Sequence, residues 1–371
     1  MNFLKNVTLF PNEKNKVLIP GIVKFGIDPT SDKLHIGHMV PMRILKELRS
    51  IGHEICIVLG THTAQLGDPS GRDKMRPILS RDDVLSNAER LVPQIVKIIG
   101  KEFILESNHS WFEKRSIADF NRILSSFTVS GLMARDSFKK RNEDGASIGI
   151  HELIVPILQG IDSVEVRANI EVGGSDQLFN FQVSRKIQEI EGMNQQTCIL
   201  LPIINGTDGR KMSKTLNNCI FLEEKKDDIF GKVMSISDVT MEEWIPLFSD
   251  NNEITEIHPM SRKKKLAWTI VKQICGEDDA NSSLNNFESL VQRKEILSEV
   301  EQVDIDIVDN KRLLINAVKK IRNCSNSESR RLISGGSVKI NNRENTSFDP
   351  NLEIFSGDVV FVGKRDFRKI K

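Results

Sequence analysis

The chain has 371 residues, 39% hydrophobic and 28% charged, and its 52 Lys+Arg nearly cancel 51 Asp+Glu. This excludes a disordered chain and a protein drawn to nucleic acid by bulk charge, and leaves room for two or three domains and a local basic patch. Five scattered cysteines (Cys56, Cys198, Cys219, Cys275, Cys324) without a C-x-x-C pair argue against a disulfide framework or zinc knuckle and suit a reducing cytosol; with no signal peptide and no apolar run of membrane length, a cytoplasmic protein is expected.

In chain order, "KVLIPGIVKFGI" (16–27) is a short apolar run rich in β-branched residues, predicted as a buried strand. "PMRILKELRSIG" (41–52) puts Ile44, Leu45 and Leu48 on one helical face, with Pro41 predicted in the first turn and Gly52 at the stop. "EICIVLG" (54–60) is a second strand, 110–150 a polar helical insertion, and "ANIEVGG" (168–174) and "CILLPIING" (198–206) two more strands. This alternation predicts an α/β fold, a Rossmann-like doubly wound parallel sheet over residues 1–220. Strand signals vanish over 221–300, where "MEEWIPLF" and "KKKLAWTIVKQI" predict an α-helical domain. Residues 301–312 fall in an acidic stretch predicted as a linker. Residues 313–371 hold "SESRRLISGGSVKI", a helix, Gly-Gly turn and strand, which predicts a small α+β domain.

The chemistry concentrates at "FGIDPTSDKLHIGHMV" (25–40). His35 and His38, three apart, share a helical face at a strand-to-helix handover. A metal site needs at least one more placed ligand, and the zincin spacing is absent. Two histidines packed at a helix start are the bland alternative. A floor for phosphates has the better physics: nucleotides bind at helix N-termini beyond strand ends, and Gly37 lets one approach the backbone. "DGRKMSKTLNN" (208–218) follows the strand at 198–206 and supplies Lys211, Lys214 and Thr215, two cations and a hydroxyl suited to a leaving pyrophosphate. By itself it also reads as an exposed basic loop.

Together these stretches resemble class I aminoacyl-tRNA synthetases, and among them the bacterial tyrosyl-tRNA synthetases. "GIDPTSDKLHIGH", "GDPSGR" (67–72), "ILQGID" (157–162), "VGGSDQLFN" (172–180) and "GRKMSKT" (209–215) follow in family order, and "SNSESRRLISGGSVKIN" resembles an S4 RNA-binding module. The resemblance covers essentially the whole chain. It implies that Asp28, Thr30, His35, Gly37 and His38 hold ATP, accompanied by Mg²⁺ as part of the substrate, with no tightly bound cofactor and no protein metal site. Gly174 and Asp176 would meet the ribose and Gln177 the reacting carboxylate. Asp68, Thr63 and Gln159 would hold the α-ammonium beside Gly26, and Asp162 would accept from the phenol. Lys211, Met212, Ser213, Lys214 and Thr215 would close over the phosphates. The implied reaction joins tyrosine to AMP and then to tRNA(Tyr). A carboxylate at 162 left without its hydroxyl partner would penalise phenylalanine. The helices of 221–300 would approach the anticodon stem. Arg330, Arg331, Lys339 and Arg343 in the S4-like module would touch tRNA, and the chain would act as a homodimer, with no DNA or membrane partner.

Three positions depart from the family pattern. Val155 and Ile161 stand where tyrosines are usual, and Lys24 stands where one branch has tyrosine. Loss of a hydroxyl near the ammonium at 155 removes a bond worth ~1.5–3 kcal/mol. Indeed the chain has no tyrosine anywhere, against 18 Phe and 3 Trp, where ordinary usage gives roughly ten. Total absence points to pressure on composition, and to a chain whose translation does not depend on charged tyrosine tRNA; deliberate engineering would leave the same trace. Two other readings stay open: a paralogue that activates a tyrosine analogue or uses another acceptor, and a non-catalytic RNA-binding protein on the same scaffold.

Overall fold

The computed structural model describes residues 7–66, 79–249, 254–255, 258–298, 302–305, 307–308, 311–340, 349–363 and 366–371. They belong to two units, Met1–Leu284 and Asn285–Lys371.

The first unit is built on a six-stranded sheet: β1 (Thr8–Phe10), β2 (Ile22–Ile27), β3 (Glu54–Leu59), β4 (Ile104–Ser107), β5 (Ile170–Gly174) and β6 (Thr197–Leu201). The order is β1-β6-β5-β2-β3-β4, with β1 antiparallel at one edge and the rest parallel. The chain winds outward from β2 through β3 to β4, then crosses back to β5 and β6. Winding reverses between β2 and β5, and there the connections leave the sheet in opposite directions and open a crevice at the strand carboxyl ends. The expected doubly wound sheet is present. Helices α1 (Ile36–Ser50), α2 (Thr63–Leu66) and α3 (Arg81–Ile99) serve the β2–β3–β4 half. The expected insertion forms α4 (His109–Phe112), α5 (Ile117–Leu124), α6 (Val129–Leu132) and α7 (Asp136–Glu143). Helices α8 (Ile150–Glu165) and α9 (Leu178–Ile190) flank β5. These two cross at Gly160, where a Cβ would come within 2.9 Å of the Ser184 Cα.

Pro41 is not in the first turn. Helix α1 begins at Ile36, because the H-x-G-H residues themselves form its first turn with His35 as cap, and Pro41 lies inside. Its missing N–H leaves the Gly37 carbonyl without the usual i+4 donor.

Four helices follow: α10 (Lys226–Met234), α11 (Asp238–Phe248), α12 (Pro259–Cys275) and α13 (Glu277–Ser298). They stand where the sequence puts helices and bury Phe230, Trp244, Phe248 and Ile270. The two units divide inside α13, not at the predicted linker. That linker is not structureless either: it holds the short strands β7 (Gln302–Val303), β8 (Ile307–Val308) and β9 (Lys311–Arg312). Among the described residues no helix is long and apolar enough to cross a membrane.

The second unit adds α14 (Leu314–Arg322), α15 (Asn326–Ser334), β10 (Val338–Ile340), β11 (Val359–Val362) and β12 (Asp366–Ile370). Strands run β10-β11-β12-β7, with β7 parallel to β12. Leu314, Val318, Ile333, Val338, Val360 and Ile370 form its core. Ser325 caps α15, accepting from Glu328 N at 3.2 Å. Gly336, at φ 71°, turns the chain into β10, as the Gly-Gly pair predicts.

Candidate active site

The carboxyl ends of the parallel strands converge on one cavity of about 340 Å³. Beyond β2 come Asp28 and Thr30, beyond β3 Gly60 and Thr63, and at the end of β5 Gly174, Asp176 and Gln177. Helix α8 adds Val155, Gln159 and Asp162, and α1 adds His38. A second cavity, of about 290 Å³, shares His38, Gly174 and Asp176 with the first and is lined further by His35, Gly37, Lys211 and Met212. The histidine pair and Asp162 therefore lie along one continuous depression.

At the start of α1 the histidines cap the helix reciprocally. His35 Nδ1 accepts from Gly37 N at 3.2 Å, and His38 Nδ1 accepts from His35 N at 3.2 Å. Accepting at Nδ1 puts the proton of the neutral His35 ring on Nε2 as a donor, whereas His38 Nδ1 also stands 3.3 Å from the His35 carbonyl, to which it donates in the other tautomer. Burial, its largest cause, holds His35 far below the ordinary imidazole value, helped by His38 and Lys214. Burial and the Lys214 ammonium pull His38 down to about 4. Gly37 is needed for this cap: a Cβ would stand 2.9 Å from the His35 ring and 3.2 Å from the Met212 sulfur. Among the described residues no three His, Cys, Asp or Glu gather as a metal site.

The K-M-S-K loop is fastened to the same helix start. After the loop, Leu222 N donates to Leu34 O at 3.0 Å and Ile36 N to Ile220 O at 2.9 Å, and His35 bridges Phe221. Lys214 donates to Lys33 O at 2.5 Å and to Ser31 Oγ. Lys211 donates to Asp176 Oδ2 at 3.0 Å. Ser213 N is held by Asn218 Oδ1 at 2.8 Å, while Asn218 Nδ2 donates to Asp208 at 2.7 Å and to the Lys211 carbonyl at 3.1 Å. Met212 is buried in the second cavity. Thr215, by contrast, is exposed and lines neither cavity.

At the far end, Asp162 is buried and doubly held: Trp111 Nε1 donates to Oδ1 at 2.9 Å and Asn108 Nδ2 to Oδ2 at 3.3 Å. Burial pushes its carboxyl up to about 7, against the opposing pull of Lys24, Trp111 and Asn108. Asn108 also donates to Thr63 Oγ1 at 3.1 Å, and Thr63 donates to Asp28 Oδ1 at 2.7 Å. Gly60 permits that contact, since a Cβ there would fall 1.8 Å from the Asp28 oxygen. At Gly26 a Cβ would meet nothing within 4 Å and would protrude into empty cavity. Gln159 and Gln177 both accept from Asn180 Nδ2, each at 2.9 Å. Of the departures from the family pattern, Val155 lines the cavity, whereas Ile161 packs in the core with Ile157 and Ile187.

Asp68 and Arg343 lie outside the described residues. Arg330, Arg331 and Lys339 are exposed on the second unit; the Arg331 guanidinium is 3.9 Å from Glu328. Sequence reasoning missed Asn108, Trp111, Glu171 and Asn218. A signal for the first two exists: both follow the carboxyl end of β4, where a doubly wound sheet keeps its ligand groups.

Residues 19–292 match the family model of the class I tRNA synthetases for tryptophan and tyrosine. The chain is 39% identical over 359 residues to a tyrosine–tRNA ligase of Aquifex aeolicus, covering 94% of this chain and 91% of that one. It is 37% identical over 362 residues to one from Thermotoga maritima, covering 94% and 90%. Among solved structures it is similar to a truncated mitochondrial tyrosyl-tRNA synthetase of Coccidioides posadasii, with TM-score 0.61, 23% identity and 76% and 90% of the two chains covered. The chain belongs to the tyrosine–tRNA ligase family.

Proposed function

We propose that this protein is a tyrosine–tRNA ligase: it activates tyrosine with ATP to tyrosyl-adenylate and transfers the tyrosyl group to the 3′ end of tRNA(Tyr), as a homodimer in the cytoplasm. The observation that carries this reading is that His38 and Asp162 line one cavity at the topological switch point.

The chemistry needs no protein nucleophile. The tyrosine carboxylate oxygen attacks the α-phosphorus in line, the P–O bond to the β-phosphate breaks, and Mg²⁺-bound pyrophosphate leaves. Catalysis is positioning plus stabilisation of charge that grows on the phosphates. The neutral rings of His35 and His38 hydrogen-bond there, His35 through its Nε2–H, without adding a desolvated cation. Lys211 and Lys214, on the loop fastened to α1, supply positive charge. Asp176 and Gly174 receive the ribose, and Asp28 and Thr63 form the floor between nucleotide and amino acid. The phenol donates to Asp162, already positioned by Trp111 and Asn108. The second unit, with its exposed arginines and S4-like order of elements, grips the tRNA backbone by charge and shape.

The test is ATP–pyrophosphate exchange with tyrosine, phenylalanine and close tyrosine analogues, followed by charging of tRNA(Tyr). Tyrosine should give the highest kcat/KM and phenylalanine almost no exchange. A preferred analogue would shift the reading to a paralogue, which the valine at 155 would explain. Absence of exchange with any aromatic amino acid would overturn it.

A further inference from the structure

Beneath the amino-acid end of the cavity lies a buried ion pair that no role above uses. Lys24 on β2 and Glu171 on β5 are register partners across the switch point, with Nζ 3.0 Å from Oε1 and both side chains 1% exposed. We propose that this pair is the positioning device that sets the polarity of the Gln159 amide at the ammonium end of the pocket, which makes Lys24 and Glu171 positioning residues for tyrosine recognition. The inference rests on the proposed substrate and deepens it.

Every hydrogen-bonding position of the pair is used. Lys24 Nζ reaches the Gln159 carbonyl and Ser163 Oγ, both at 2.8 Å, as well as Glu171. Its three donors thus have three acceptors within the protein, so it contributes charge to the cavity, not a spare N–H. Glu171 Oε1 also accepts from Gln159 Nε2 at 3.0 Å, and Oε2 accepts from Ser163 Oγ at 3.0 Å and from Gln196 Nε2.

An ionised carboxylate only accepts, so the amide facing it must present NH₂. Gln159 therefore turns Nε2 to Glu171 and its Oε1 the other way. Oε1 in turn accepts from Asn180 Nδ2, which also donates to Gln177 Oε1. The carboxylate thus fixes the Gln159 amide and leaves its Oε1 turned away from Glu171, with a second lone pair that an ammonium can use. Glutamine at 171 could donate as well as accept, and the Gln159 amide would lose its reason to face one way. Lys24 makes the arrangement tolerable, since a carboxylate this deep without a partner is strongly disfavoured.

The test uses the full-length enzyme and three probes: tyrosine, tyramine (ammonium, no carboxylate) and 3-(4-hydroxyphenyl)propionate (carboxylate, no ammonium). In Glu171→Gln, KM for tyrosine and Ki for tyramine should rise ~10-fold or more, the loss of one hydrogen bond to a charged group. Ki for the desamino acid and KM for ATP should stay within twofold. A structural defect would weaken all three probes together. If Glu171→Gln does not fold because it strands Lys24, the double variant Lys24→Met/Glu171→Gln removes both charges and should show the same selective loss. Equal weakening of tyramine and the desamino acid, or weakening of neither, in the variant that folds would overturn the proposal. Failure of the unaltered enzyme to bind tyrosine or tyramine would instead remove the proposed function, and this inference with it.

Discussion

Lys211 and Asp176, which the family resemblance assigns to pyrophosphate and ribose, are bonded to each other at 3.0 Å. The pair ties the loop after β6 to the turn after β5. Lys211 is 41% and Asp176 26% exposed, so water screens the attraction and the bond is worth on the order of 1 kcal/mol or less. It is exchanged at little cost when nucleotide arrives. Lys211→Gln should therefore lower kcat for adenylate formation by ~10²–10³-fold and leave KM for tyrosine within twofold, because charge on the leaving phosphates develops only in the transition state. Rapid-quench measurement of the exchange reaction checks this; a loss confined to KM for tyrosine would contradict it.

Asp162 gives a pH signature. Its carboxyl is pushed up to about 7 by burial, above the ordinary 3.8, so the folded chain keeps a proton that the unfolded chain releases. The group's contribution to stability therefore falls as pH rises from about 4 to about 7 and is level above that. In the proposed function the phenol of tyrosine donates to the ionised form, so KM for tyrosine should fall as pH climbs through 7. Asp162→Asn should flatten that dependence and reduce the preference for tyrosine over phenylalanine by ~10-fold or more. An unchanged pH profile of KM in the variant would remove this role.

The histidines run the other way. His38 is pulled down to about 4 and His35 lower still, so both are neutral in the folded chain where the unfolded chain protonates them. Their contribution to stability is complete above about 6.5 and is lost as pH falls from there, for His38 down to about 4 and for His35 further still. The kcat profile for adenylate formation should show no limb near the ordinary imidazole value. His38→Ala should lower kcat by ~10²-fold or more. A limb at pH 6–7 that disappears in the variant would show that the ring works as a cation.

How much of this was legible in the sequence follows from where charge lies relative to apolar runs. His35, Lys211 and Asp176 stand just after strands and declare themselves by contrast. Lys24 and Glu171 stand inside strands, each a lone charge in an apolar run, and only the β2–β5 register shows that each is the other's partner. Strand β4 has four residues, "ILES", too few for a period, so no periodicity in the sequence announces Asn108 and Trp111 beyond its end. Pro41 lies deeper in α1 than a proline's preference for the first turn suggests, because the H-x-G-H residues themselves make that turn. The unit boundary inside α13 leaves no mark at all, since a helix continues across it.

If the exposed arginines of α15 hold tRNA as proposed, they separate the two half-reactions. Arg330→Ala/Arg331→Ala should weaken tRNA charging, with a shallower salt dependence of KM for tRNA, and leave pyrophosphate exchange untouched. Equal loss in both assays would mean that the second unit supports the fold of the first rather than the tRNA.

Composition makes a prediction of its own. With no tyrosine codon to read, synthesis of this chain in a tyrosine-starved translation extract should continue while a tyrosine-containing control stalls. Simultaneous stalling of both would reject the idea.

The indole of Trp111, one hydrogen bond from Asp162, has an optical consequence. The polypeptide is dark in the phenol channel, so any phenol excited in the complex is the guest's own. Energy passed from that ring to the nearby indole reports occupancy without a label, and the enzyme serves as its own photometer for the molecule it selects.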